Sequence, residues 1–318
     1  MDKENFEVGK SYRNYVLFML MVVYSFNFID RQILVILQEP IKAELGLSDT
    51  QLGLMTGLTF ALFYVIMGLP IARLADRSNR RNIVAISLTV WSGMTALSGF
   101  AQNFWQLLLA RIGVGIGEAG GSPPSHSMIS DYFPPEQRAT AFSIYNMGIY
   151  IGIMVGFLVG GWMADTLGWR VAFFVVGLPG ILLAVILRLT IKEPPRGFYD
   201  KEKHQDVPLK AVIAHFRSYK SMTLLSLACA MTSFTGYGTT NFMPAYLARV
   251  HEMSTTDIGV ALAISIGVGG GLGTFASGFL ADKLGKKDIR WYMWMPALMG
   301  LVSTPFGLYV FLSDDTAN

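Results

Sequence analysis

Four long stretches of this chain carry no charged residue: Tyr15 to Ile29, Ile83 to Ala110, Val171 to Leu187 and Trp291 to Ser313. A helix needs about 20 predominantly apolar residues to cross the hydrocarbon core of a bilayer. A soluble globule would interleave charges on its outer helix faces, and this chain confines them largely to the segments between the runs. Charged residues are 15% of the 318 and apolar residues 52%, where a soluble domain carries about 25% charged. The fold class expected is therefore an all-α polytopic membrane protein. Met1 to Lys10 is polar and mixed in sign, and the run after it lacks a clear small-residue cleavage site, so that run reads as a first spanning helix rather than a signal peptide. The single Cys229 excludes an intramolecular disulfide and reads as a small buried hydrophobe.

A pass along the chain predicts nine helices at 15–36, 51–72, 82–100, 104–124, 139–164, 170–190, 221–247, 255–281 and 291–312. The fourth is the weakest, because it holds Arg111, Glu118 and a Pro123-Pro124 pair. With these spans, 20 of the 25 Lys and Arg residues fall on the side of the N-terminus and three on the other, with Arg31 and Arg111 inside spans. That asymmetry predicts a cytoplasmic N-terminus in the plasma (inner) membrane. It also explains the formal charge of +3 without a nucleic-acid partner. The one long polar connection, Lys192 to Lys220, contains Pro194-Pro195 and Pro208. It divides the chain into a six-helix bundle (1–190), a cytoplasmic linker (191–220) and a partial second bundle of three helices (221–318). Leu209 to Phe216 has the makings of a short surface helix.

An internal repeat supports the division. Ala72-Arg73-Leu74-Ala75-Asp76-Arg77-Ser78-Asn79-Arg80-Arg81 follows the second span, and Gly278-Phe279-Leu280-Ala281-Asp282-Lys283-Leu284-Gly285-Lys286-Lys287 follows the eighth. Both read small-x-Leu-Ala-Asp-basic-x-x-basic-basic, as in transporters built from related halves. These stretches resemble the cytoplasmic motif of the major facilitator superfamily; the second is a full match, and the first departs at Ala72 and Asn79. The run Arg111 to Ala119 is similar to the family's helix 4 motif. Gly148, Gly152, Gly156 and Gly160 are similar to its helix 5 motif without the usual Gly-Pro pair. Asp30-Arg31, Gly115-Ile116-Gly117-Glu118-Ala119 and Ser130-Asp131-Tyr132-Phe133-Pro134 resemble the spinster branch. That resemblance implies a major facilitator fold of two pseudo-repeated bundles, the second incomplete because nine of twelve helices are found. It also implies proton-linked transport of amphiphiles, including lysolipids and sphingoid lipids.

Asp30, Arg31, Arg111 and Glu118 lie within spans, where each charge costs at least about 2.5 kcal/mol. They are expected to face a wet cavity and pair with one another. At about 1.5 Å per residue, Asp30 and Arg111 fall at similar depths in the outer half, and Glu118 lies deeper on the same face as Arg111. The expectation is a breakable Asp30–Arg111 pair with Arg31 nearby. Glu118, with fewer expected counter-charges, is then a candidate proton carrier. Two linked carboxylates titrate as a set, so no single proton is assigned. The alternative is a static polar network that only orders the helices.

Asp76, Arg77, Arg80, Arg81, Asp282 and Lys283 are candidate gating residues, each Asp accepting hydrogen bonds at the N-terminus of a helix of the opposite half and so holding the outward-facing state. The alternative is ordinary positive-inside residues and a cap. The resemblance implies that Asp76 pairs with a helix beyond the nine and Asp282 with the fifth, so the latch is expected to be half intact. Thr235-Gly236-Tyr237-Gly238-Thr239-Thr240-Asn241 reads as a polar break or bend in the seventh span. Tyr237 and Asn241 there, with Tyr24, Asn27, Tyr145 and Asn146, are the candidate substrate contacts; polar groups in spans also serve as interhelical glue. Phe60, Phe63 and Met67 are expected to wall the cavity. The helix five glycines favour helix packing, and His126 favours packing over proton relay. Four His and one Cys show no metal-ligand spacing, no P-loop is present, and Gly113, Gly115 and Gly117 follow no strand.

The reading is a proton-coupled secondary transporter of an amphiphilic or lipid-like molecule. It is not an enzyme, has no cofactor apart from protons as the coupling ion, and acts as a monomer in the lipid bilayer. A proton symporter of small organic acids and a non-transporting sensor or receptor are the alternatives.

Overall fold

In the computed structural model, which describes residues 6, 8–199 and 209–312, the chain is all helix apart from short connections. Lys3, Pro208 and the centre of the middle loop lie outside the described residues. In chain order the helices are α1 (Lys10–Ile36), α2 (Gln38–Leu45), α3 (Asp49–Gly53), α4 (Thr59–Arg77), α5 (Arg80–Ser98), α6 (Phe104–Glu118), α7 (Ser122–Tyr132), α8 (Pro135–Thr166), α9 (Trp169–Thr190), α10 (Leu209–Ser218), α11 (Lys220–Val250), α12 (Thr255–Leu262), α13 (Gly270–Gly285) and α14 (Trp291–Leu312). π-helical turns at Leu54–Leu58 and Ala263–Gly269 join α3 to α4 and α12 to α13.

Among the described residues, six segments are long and apolar enough to cross a bilayer: α1, α3 through α4, α8, α9, α12 through α13, and α14. The other three expected spans coincide with α5, with α6 and α7, and with α11. Ser, Thr, Gly and Asn residues lower the hydropathy of α5 and α11. The expected fourth span is two helices, because the chain turns at Gly120-Gly121 and the prolines 123 and 124 start a new helix, where a missing N–H is tolerated. The expected break in the seventh span is absent, since α11 runs unbroken through Gly236, Gly238 and Pro244. Cys229 on α11 is exposed rather than buried. The expected surface helix is α10.

The repeat extends into the capping chemistry. Ser48 accepts from the Gln51 N–H in a capping box at the start of α3, and Ser254 accepts from the Asp257 N–H at the start of α12. Each serine precedes its motif aspartate, Asp76 or Asp282, by the same 28 residues. A π turn lies in both repeats between cap and motif, which no sequence feature announced.

Helix α8 occupies the centre. Its glycines let α1 approach closely: a Cβ at Gly148 would lie 2.6 Å from the Met21 carbonyl, and one at Gly152 2.4 Å from that of Ser25. On its other side a Cβ at Gly161 would lie 2.6 Å from the Thr255 carbonyl, and one at Gly259 2.5 Å from that of Phe157. The i+4 glycines therefore serve packing. Gly152→Ala is expected to lose about 1–3 kcal/mol through overpacking, although alanine favours a helix by about 1 kcal/mol. Gly236→Ala, with nothing within 4 Å, should be neutral or stabilising. Thermal unfolding of the two variants in detergent checks the contrast.

The expected linker does not begin free of the first bundle. Ile191 is buried, the Tyr132 hydroxyl donates to the Lys192 carbonyl at 2.6 Å, and Phe6 is wedged between Tyr132 and Phe198. Residues 191–199 thus fold back over the end of the bundle that carries the chain's N-terminus.

Candidate functional site

Three neighbouring helices build the site that gathers the four intramembrane charges. Asp30 and Arg31 come from α1, and Arg111 and Glu118 from α6. Asp30 and Glu118 are fully buried and Arg111 nearly so. Arg31 Nε donates to Glu118 Oε2 at 2.7 Å. Arg111 donates at 3.3 Å to the backbone carbonyl of Asp30, not to its carboxylate. Both Asp30 carboxylate oxygens are buried without a hydrogen-bond partner. The pairing expected from depth is thereby exchanged: Glu118, expected to be short of counter-charge, holds Arg31, and the Asp30–Arg111 side-chain pair is not made. Depth along a helix cannot distinguish neighbours such as Asp30 and Arg31, which point about 100° apart on a helix of 3.6 residues per turn.

The third helix, α5, contributes polar groups absent from the expected site. Thr95 is fully buried with its hydroxyl beside the Asp30 carboxyl, short of a full hydrogen bond, while the buried Ser92 hydroxyl faces Gly180 of α9 and Trp91 packs against Gly117 of α6. Their sequence signal was three hydrogen-bonding side chains within five residues of an uncharged run. Asn27 Oδ1, Arg111 Nε and Glu118 Oε1 are further buried atoms without partners. Buried polar groups are normally satisfied, and here the unpaired atoms of Asp30, Arg111 and Glu118 lie in one α1–α6 cluster.

Aromatic rings enclose the arginines. The Arg31 guanidinium lies 5.1 Å from the Phe28 ring, 4.9 Å from Phe60 and 5.2 Å from Tyr64, and Arg111 lies 5.6 Å from Phe60. Phe60, Phe63 and Met67 are half-buried, while Leu62, Val65, Ile66 and Leu69 on the same helix are exposed. Arg31 NH1 also donates to the Tyr237 hydroxyl of α11 at 3.4 Å, which links the cluster to the later helices.

The other candidate contacts divide. Tyr24 and Tyr145 stack at 4.4 Å, and His126 meets Tyr145 and Phe142 edge-on, which fits its packing role. Tyr145 and Asn27 are buried and Asn146 is exposed. Asn241 is buried in a contact between helices: its side chain donates to the Thr56 carbonyl at 3.1 Å, and its own carbonyl accepts from Gln38 at 2.6 Å.

That contact belongs to a seal at the α2 end. Arg249 donates to Glu39 and to Asp49, both at 2.6 Å, and Lys42 to Asp49 at 2.7 Å. Asp165 accepts from the Thr256 N–H at 2.8 Å and from its hydroxyl at 2.7 Å. Nearby, the Trp169 indole N–H donates to Glu44 at 2.6 Å and Arg170 pairs with the same carboxylate, and these bonds hold it below the usual carboxylate range.

At the opposite end the helices part. Asp76, Arg77, Asp282 and Lys283 are exposed, and among the described residues no hydrogen bond or ion pair reaches them. In this state, among the described residues, the contact expected between Asp282 and α8 is not made. The last hydrogen bond between α8 and α13 joins Tyr150 to Thr274, eight residues before Asp282, and α8 begins on Pro134-Pro135, which offer no N–H. Arg80 and Arg81 have a different role. Arg80 is buried and donates to Glu193 and Ser127 at 2.8 Å, to the Pro194 carbonyl at 2.6 Å and to Asp131. Arg81 donates its N–H to Glu193 at 2.8 Å and its side chain to the Ile191 carbonyl at 3.0 Å. The pair clasps the 191–199 segment to the bundle.

Comparison with known proteins places this geometry. The Major Facilitator Superfamily model matches residues 20–317. The chain is 34% identical over 304 residues to an MFS-type efflux pump of Mycolicibacterium smegmatis (strain ATCC 700084 / mc(2)155), covering 93% of this chain and 68% of that protein. It is 29% identical over 259 residues to the cis,cis-muconate transport protein of Acinetobacter baylyi (strain ATCC 33305 / BD413 / ADP1), covering 78% and 61%. Its structure is similar to the crystal structure of a bacterial homolog to the human lysosomal transporter Spinster, in an inward-facing and unoccupied conformation. The TM-score is 0.85 and the identity 38%, over 98% of this chain and 71% of that one. The chain thus spans about two thirds of the proteins it matches, and those relatives are multi-pass membrane transporters. With the repeated motif, the α8 glycine seam and the α1–α6 charge cluster, the chain belongs to the major facilitator superfamily, in its spinster-like branch.

Proposed function

We propose that this chain is the greater part of a proton-coupled secondary transporter that moves an amphiphilic organic or lipid-like molecule by alternating access. The observation that carries the reading is the buried cluster. Glu118 is paired with Arg31, while Asp30 keeps both carboxylate oxygens without a hydrogen-bond partner beside Arg111. A carboxylate buried without a partner is costly, so such a site gains and releases a proton as its surroundings change. Arg31 also reaches Tyr237 of α11 in the second bundle, and the two bundles move against one another in a rocking cycle. The seal at the α2 end and the parted helices at the other support a state open on the side of the N-terminus. The 20-to-3 division of basic residues makes that side cytoplasmic in the inner membrane. The two bundles divide at the 191–220 linker, and the cavity between them works without a cofactor or enzymatic chemistry in a monomer.

For the cargo, the aromatic collar around Arg31 favours a molecule with an anionic or polar head and an apolar body. A small organic acid is the second reading. It draws on Arg31 as a carboxylate contact and on the transport of cis,cis-muconate named for one relative.

Proteoliposome flux of labelled lysolipid under an imposed pH gradient tests the proposal, comparing this chain with a version extended by three further helices. Gradient-driven flux, in competition with excess lysolipid but not muconate, is the expected result. Competition by muconate alone favours the organic-acid symporter. Binding without flux in either version leaves the sensor and sinks the transporter.

A further inference from the structure

Phe60 stands where two guanidiniums meet. Its ring is 4.9 Å from Arg31 and 5.6 Å from Arg111, it stacks on Tyr64 at 5.9 Å, and it is half-buried, so part of its surface stays open. The α6 backbone holds it there: a Cβ on Gly115 would come 3.1 Å from the Phe60 carbonyl and 3.4 Å from its ring. The face of an aromatic ring attracts a cation, and both arginines lie on residues next to, or bonded to, the acid that lacks partners.

We propose that Phe60 is a positioning residue that couples the cavity to the buried acid by holding Arg111 on the backbone carbonyl of Asp30 and away from its carboxylate. A ligand whose apolar body displaces the ring frees Arg111 to reach the carboxylate, so occupancy of the cavity and ionisation of Asp30 become linked. The linkage is reciprocal, since each event changes the equilibrium of the other by the same factor. The groups that set this balance come from five helices. Tyr24, Asp30 and Arg31 come from α1, Tyr64 from α4, Arg111 and Glu118 from α6, and Tyr237 from α11; Thr95 of α5 adds a hydroxyl. Among the described residues Phe60 is the ring that touches both arginines, and it carries neither charge nor a hydrogen-bonding group, so it can redistribute them without itself titrating. The inference rests on the proton-coupling reading.

The test needs no ligand. Infrared difference spectra of the chain in lipid nanodiscs, recorded across pH, follow the buried carboxyl band, which is assigned to Asp30 by its loss in Asp30→Asn. Phenylalanine at position 60 is replaced by mono-, di- and trifluorinated analogues, which weaken the ring's attraction for cations while nearly preserving its shape. A desolvated cation–π contact changes an equilibrium by about thirtyfold, so the pH midpoint of the band is expected to move by about one and a half units, stepwise with fluorination. Phe60→Leu should move it as far as the trifluoro form and Phe60→Tyr should leave it in place. Gly115→Ala, which crowds the ring from α6, should move it too. A wild-type band that titrates with an unchanged midpoint throughout the fluorinated series overturns the clamp and leaves proton coupling standing. A wild-type chain in which no carboxyl titrates overturns the coupling reading and the clamp with it.

Discussion

Replacing Asp30 by asparagine is expected to abolish gradient-driven uptake while leaving the folded protein as stable as before, or more so. The two effects separate because both carboxylate oxygens of Asp30 are buried without partners. The native state draws no hydrogen-bond energy from them, and the isosteric amide removes a charge that is expensive to bury. Its neighbour behaves in the opposite way. Glu118→Gln breaks the 2.7 Å bond to Arg31 and leaves a largely buried guanidinium without its counter-charge. Removing one partner of a buried pair costs about 3–5 kcal/mol, and the small exposure of Arg31 argues for the lower end. Uptake at imposed pH gradients, with thermal unfolding of the same preparations, checks both. Undiminished gradient-driven uptake in Asp30→Asn would remove it from the coupling machinery. Wild-type stability in Glu118→Gln would mean that the pair contributes nothing to folding.

The second large effect is expected at Arg80, for reasons of stability and not gating. Arg80→Ala deletes a buried guanidinium bonded to Ser127, Asp131, Glu193 and the Pro194 carbonyl and strands the buried Asp131. The expected loss is about 3–5 kcal/mol, with release of the 191–199 segment. Arg77→Ala, three residues earlier in the same motif, touches an exposed side chain without a bond and should stay within about 0.5 kcal/mol of wild type. If the destabilisation comes from the stranded charge, pairing Arg80→Met with Asp131→Leu should recover part of it, since apolar residues often replace a buried ion pair without loss. Unfolding curves of these variants decide the matter. Equal stability of Arg80→Ala and Arg77→Ala would return Arg80 to a gating role.

These two cases separate residues that look alike in the sequence. The motif Asp76-Arg77-Ser78-Asn79-Arg80-Arg81 presents five hydrogen-bonding residues after Asp76, and the repeat at Asp282 suggested one shared role. In the fold α4 ends at Arg77 and α5 begins at Arg80. The turn between them sends Asp76 and Arg77 outward and Arg80 inward, onto acids that lie 51 and 113 positions further along the chain. The exposed members are free to latch in another state of the cycle. The buried ones are committed to the bundle.

The sequence alone determined the features imposed by the cost of moving charge and backbone into hydrocarbon. Uncharged runs of spanning length required a helical membrane protein, the repeated aspartate motif required related halves, and the glycines at every fourth position of α8 required a close helix seam. Four charges in spans required a shared site. These inferences need only one-dimensional spacing, because bilayer thickness and helical rise convert it directly into depth. The tertiary structure decided what spacing cannot encode: azimuth and proximity. It placed Arg31 on Glu118 and Arg111 on a carbonyl, ran α11 straight through its glycines, left Asp282 short of α8, and brought Thr95 and Phe60 to the acid cluster. Each outcome depends on which face of one helix meets which face of another. That is settled by packing among residues far apart in the chain, and it leaves no periodic signature in any one segment.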